Sequence, residues 1–146
     1  ALTAFEGPLR HALYQVGALA ALGALVFAPH PNWPVMFANF VSNFYEEFIF
    51  RGWGWKQVEQ IDLGKYSQVI HWLVISILFG IWHFGYMDVY LLKMAPANPG
   101  MDWGNFFVMK FLTTLAIGLV IGIPRWRTGR AYGSFIIHAL INLFGR

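Results

Sequence analysis

Ionisable side chains inside continuously apolar sequence come first, because a charge held out of water is costly and such groups are functional by default. Six stand out: Glu46 and Glu47 in the run Val35 to Phe50, His71 and His83 in Ser67 to Met87, Lys110 in Asn105 to Ile123, and His138 in Ala131 to Gly145, where Asn142 is a polar companion. Adjacent carboxylates repel strongly in a low dielectric. Arg51, four residues after Glu47, shares its helical face and can pair with it. Glu46 then faces elsewhere and is free to act as a general base. His138 and Asn142 also share a face and can aim two donors at one point, as an oxyanion hole requires. Each group has a plain structural reading beside the chemical one. Glu46, Glu47 and Arg51 can mark a helix end meeting water at the headgroups, His83 can be hydrogen-bonded within its helix, and His138 with Asn142 can join two helices.

The elements that must position these residues follow from composition. The chain has 146 residues, 58% hydrophobic and 12% charged, with a mean hydropathy of +0.52. Soluble domains carry about 25% charged residues, and a chain this size cannot enclose so much apolar surface in one water-soluble core. Lipid is the expected solvent, and the seven Trp suit membrane interfaces. The apolar runs are continuous rather than alternating, which favours helices over a barrel. The expected fold is therefore an all-α membrane protein, a single domain of about five transmembrane helices over 12–28, 35–50, 67–87, 105–123 and 131–145. Pro29, Pro31 and Pro34 end the first span, and Pro124 is expected to close the fourth. Gly118 and Gly122 form a small-xxx-small pair that permits close helix approach.

Orientation follows from the basic residues. An amino terminus on the cytoplasmic side places Arg10, Arg51, Lys56, Lys65, Arg125, Arg127 and Arg130 inside and leaves Lys93 and Arg146 outside. The same bias accounts for the net charge of +3; the ten Lys and Arg form no dense patch, so no nucleic-acid partner is expected. With no Cys, disulfides, thiolate catalysis and Cys-ligated metals are excluded. The chain begins at Ala1 without an initiator Met. The first run has no convincing small-residue cleavage site, so it reads as a span rather than a signal peptide, and the amino terminus as processed or trimmed.

Taken together, the ionisable residues fall into three motifs. Glu46-Glu47-Phe48-Ile49-Phe50-Arg51 reads as EExxxR, Phe79-Gly80-Ile81-Trp82-His83 as FxxxH, and His138-Ala139-Leu140-Ile141-Asn142 as HxxxN. In this order and on separate helices they resemble the CAAX-protease and bacteriocin-processing family of intramembrane proteases, over roughly Phe40 to the carboxyl terminus. The resemblance implies an endopeptidase acting on membrane-associated proteins or peptides. In it Glu46 activates a water, His83 helps hold or deprotonate that water, and His138 and Asn142 stabilise the oxyanion. Glu47 and Arg51 fix the second helix or hold substrate. No metal or other cofactor is implied. The family usually has more than five helices. Depth counting within the third run also sets His83 on the opposite side from Glu46, so the motif reading requires the third helix to continue through Tyr90 and Leu92.

Other chemistries compete. Glu46, His83 and His138 are residue types that suit zinc, although no HExxH is present. Ser76 and Ser134 lack a nucleophile-elbow context. A non-catalytic relative serving as an accessory subunit of a larger membrane complex is the alternative of a different class, with His71 or His83 available to ligate a haem or pigment. The two classes differ in one geometric expectation. Catalysis requires Glu46, His83, His138 and Asn142 to line one cavity at one depth, and helix packing alone does not.

Overall fold

The structure, a computed structural model, describes residues 33–144, and every element in that range is helical. The expected first span, 12–28, lies outside the described residues. Helix α1 covers Trp33–Glu47, with Pro34 in its first turn, where a missing N–H leaves no hydrogen bond unmade. It runs without a break into a π-helical segment, Phe48–Gly54, and then into α2, Trp55–Val58. A turn follows in which the Asp62 carboxylate accepts from the Gly64 N–H and the Ser67 hydroxyl accepts from the Leu63 N–H. Gly64, at φ +70°, takes the left-handed conformation this turn needs. Helix α3 covers Ser67–Trp82, and a 3₁₀ turn, His83–Tyr86, joins it to α4, Met87–Met94. Helix α5 covers Trp103–Thr128 and α6 covers Tyr132–Phe144.

Helix α5 corrects one expectation: Pro124 lies inside it and does not close it. A proline removes one backbone hydrogen bond, and contacts beyond it hold the last turn in place. Trp126 stacks on Trp72 of α3 with ring centroids 5.3 Å apart, and Arg125 is bound to the α1–α2 region. The helix stops at Gly129, whose φ of +68° and N–H donated to the Arg125 carbonyl form a left-handed cap. At its start Asp102 accepts from the Asn105 N–H.

Two runs among the described residues are long and apolar enough to cross a membrane, Gly64–Met94 and Trp103–Thr128, with mean hydropathies of 1.6 and 2.2. Only 28% and 22% of these apolar stretches is buried within the protein, whereas the core helix of a soluble domain would be mostly covered. Leu73, Ile77, Ile81, Val108, Leu112 and Val120 are among the large side chains left outside. The short core is formed by Phe50, Trp55, Ile75, Phe79 and Ile121.

The tightest seam runs between α3 and α5, and glycine makes it. A Cβ on Gly122 would lie 2.7 Å from the Trp72 indole, and one on Gly118 would lie 3.1 Å from the Phe79 ring and 3.2 Å from the Ser76 carbonyl oxygen. Trp72 uses the close approach to donate its indole N–H to the Leu119 carbonyl at 3.0 Å. The small-residue pair thus brings α3 and its extension, which carries His83, against α5. Helix α6 packs against both α1 and α5.

Candidate active site

Helix α1 carries the acidic side of the site. Asn39, Asn43, Glu46 and Glu47 fall at helical spacing on one face. Glu47 is fully buried, and its Oε1 accepts from Arg51 Nη1 at 3.2 Å and from His138 Nδ1 at 2.9 Å. Arg51, also fully buried, donates through Nη2 to the Gly118 carbonyl at 2.9 Å and lies 4.4 Å from the Phe79 ring centroid. One guanidinium therefore ties α1 to α5 and to α3. Glu47 and Arg51 neutralise each other, and the bond to Gly118 offsets part of the cost of burying the pair, while Glu47 Oε2 and Arg51 Nε are buried without a hydrogen-bond partner among the described residues.

The π-helical segment beginning at Phe48 has its own anchor. Its geometry sends the Trp55 N–H to the carbonyl of Phe50, five residues back. In an α-helix that N–H would serve Arg51, so the Arg51 carbonyl needs another donor. Arg125 supplies it, with Nε 3.0 Å from the Arg51 carbonyl oxygen. Its Nη2 holds both oxygens of Glu59, at 3.2 and 3.1 Å, and its guanidinium lies 5.4 Å from the Trp55 ring centroid. Sequence reading missed this role, because Pro124 was taken as the end of the helix.

Glu46 is nearly as buried as Glu47 but is not paired with Arg51. Ser42 donates to it at 3.4 Å, and His138 Nε2 faces its Oε2 at 3.9 Å, beyond hydrogen-bond length. His83 is fixed by the donation of its Nδ1–H to the Phe79 carbonyl at 2.8 Å. A carbonyl only accepts, so Nδ1 carries the proton and the neutral ring keeps an acceptor lone pair on Nε2. Asn142 donates one amide N–H to Asn43 Oδ1 at 2.6 Å, leaving a second N–H.

Glu46, His83, His138 and Asn142 line one cavity of about 140 Å³. Its wall also includes Asn39, Asn43, Lys110 and Thr114. His83 thus shares a cavity with Glu46, contrary to the depth count: helix continues past it to Met94, so it lies within the run rather than at its end. Asn43 and Asn39 were not singled out from sequence. The available signal was their spacing of four and eight residues before Glu47, which prolongs the acidic face. His71 lies elsewhere, with Nε2 3.0 Å from the Ile61 carbonyl. Among the described residues no three His, Asp or Glu side chains are set to share a metal ion.

A polar, acid- and histidine-lined cavity inside a helical bundle with bare apolar sides defines an integral membrane protein with a buried polar site. A family model described as type II CAAX prenyl endopeptidase, Rce1-like, matches residues 28–144. The chain belongs to that family, within the CAAX-protease group that its three motifs resemble. No individual curated protein and no solved structure matches it.

Proposed function

We propose that the protein is an intramembrane endopeptidase of the CAAX-protease type in which Glu46 activates a water against a peptide bond. The Glu46 carboxylate takes a proton from the water as its oxygen attacks the carbonyl carbon. The acceptor lone pair on His83 Nε2 positions that water. The oxyanion that forms is met by Nε2–H of protonated His138 and by the free N–H of Asn142. When the C–N bond breaks, Glu46 passes its proton to the departing amine. Glu47 accepts from His138 Nδ1, which turns Nε2 toward the cavity, and Arg51 holds Glu47. In this state two carboxylates balance one guanidinium and one imidazolium, so the buried cluster carries no net charge.

The observation that carries the reading is the convergence of Glu46, His83, His138 and Asn142, from three separate parts of the fold, on one cavity. Helix packing does not demand it, and hydrolysis does. The substrates this family acts on, membrane-associated proteins, supply the probe: prenylated peptides presented to the purified protein in lipid nanodiscs. Glu46→Gln keeps shape and removes basicity, and should lower hydrolysis by about 10²–10⁴ with folding intact. Full activity in that variant ends the glutamate mechanism. If the unaltered protein cleaves no peptide, the accessory-subunit reading takes its place.

A further inference from the structure

Lys110 has no part in the hydrolysis just described, yet it is a cation within an apolar span and its side chain helps line the same cavity. Among the described residues no carboxylate forms an ion pair with it. Its ammonium lies 5.3 Å from the Tyr90 ring centroid, a contact that leaves hydrogen-bonding capacity on the nitrogen. Nearby, Arg51 is paired with Glu47 and donates to the Gly118 carbonyl, and His138 is held by Glu47. Lys110 precedes Gly118 by eight residues on α5, which is about 12 Å of helix rise. The cavity wall carries both Glu46 and Lys110. Intramembrane charges are kept where they meet a partner, and among the described residues no carboxylate fills that place for Lys110.

Resting on the peptidase reading, we propose that Lys110 is a specificity-determining residue that receives a carboxylate of the substrate, its free carboxyl-terminal α-carboxylate. A peptide bond placed against Glu46 and His138 leaves the adjoining chain to extend along the cavity toward Lys110, Thr114 and Asn39. The cavity is small, about 140 Å³, and a chain end occupies less of it than a chain that continues past Lys110. The α-carboxylate is also the one anion that every such chain end offers, whatever its side chains. The ammonium–carboxylate contact forms on binding and offsets the desolvation of both charges.

The test uses a pool of prenyl-cysteine peptides with randomised residues after the cysteine, each made as the free acid and as the carboxamide. A third set, carboxamides carrying one glutamate, provides a side-chain carboxylate instead. The intact protein in nanodiscs should prefer acids over amides by about tenfold to a hundredfold in kcat/KM, the scale of a charge-assisted hydrogen bond. The same preference should appear in equilibrium binding. Lys110→Gln should bring the ratio to about one, and Lys110→Arg should retain most of it. A ratio near one in the unaltered protein, or a ratio that Lys110→Gln leaves standing, overturns the proposal while the peptidase reading survives. A preference that follows the glutamate side chain overturns the chain-end assignment. If no peptide is cut, the peptidase reading fails, and the binding ratio still decides whether Lys110 reads a carboxylate. A change in phospholipid retention with the ratio unmoved makes Lys110 a headgroup contact and rejects the proposal.

Discussion

At the scale of single residues, the proposed mechanism separates groups that touch the reacting atoms from groups that aim them. Asn142 presents a free N–H to the cavity, while Asn43 holds its other N–H at 2.6 Å. Asn142→Ala should therefore lower kcat by about 10²–10³, the scale of one oxyanion donor, and leave KM nearly unchanged. Asn43→Ala should give a smaller loss in the same parameter, because it loosens the donor without removing it. Steady-state kinetics on the two variants checks both, and an effect confined to KM would make the pair packing glue. The spacings of EExxxR, FxxxH and HxxxN exposed the charged half of the site in the sequence because ionisable groups in apolar runs are conspicuous. Asn43, Asn39 and Thr114 escaped notice because an uncharged polar side chain in a helix costs little and raises no alarm. The division of labour between Glu46 and Glu47 was legible only in part. The i, i+4 offset to Arg51 pointed to one pair, but that Glu47 also holds a histidine from α6 depends on tertiary packing.

At the scale of elements, two devices set where the residues meet. The first is the glycine seam: Gly122→Ala puts a Cβ 2.7 Å from the Trp72 indole, so Trp72 must shift and give up its bond to the Leu119 carbonyl. A loss of about 1–3 kcal/mol, typical of overpacking, is expected in the unfolding free energy measured in lipid. The second is the anchored π-helical segment. Arg125→Ala strands the Arg51 carbonyl and opens the Glu59 pair. Because Glu59 is itself 44% exposed, the pair contributes little. Most of an expected loss of about 1–3 kcal/mol comes from the unmet buried carbonyl. Glu59→Gln should accordingly cost much less than Arg125→Ala, and equal losses would place the effect in the ion pair. Continuous apolar runs marked the helices in the sequence, but they carry no sign of a π turn, which is one wider turn inside an unbroken helix. The misread Pro124 has a similar origin: local propensity was overruled by Arg125 and Trp126, whose partners lie far away in the chain.

At the scale of the whole molecule, bare apolar flanks on the two candidate spans surround a polar cavity, as expected of a protein that meets lipid on its sides. The charge distribution predicts which end faces the cytoplasm. The chain has no Cys, so a single cysteine at Lys56 or at Lys93 can be labelled cleanly with a membrane-impermeant thiol reagent. Position 56 should react only after the cytoplasmic face is opened and position 93 from the other side; the reverse pattern would invert the topology. The Glu47–Arg51–His138 cluster also has a consequence in time. Synthesis runs from amino to carboxyl terminus, so Glu47 emerges four residues before Arg51 and 91 residues before His138. The Glu47 charge can therefore be neutralised by Arg51 one turn away, with nothing needed from later segments. The histidine arrives last and docks onto an acid that is already in place. On the proposed mechanism the site is incomplete until α6 is in place, and hydrolytic competence would wait for that helix.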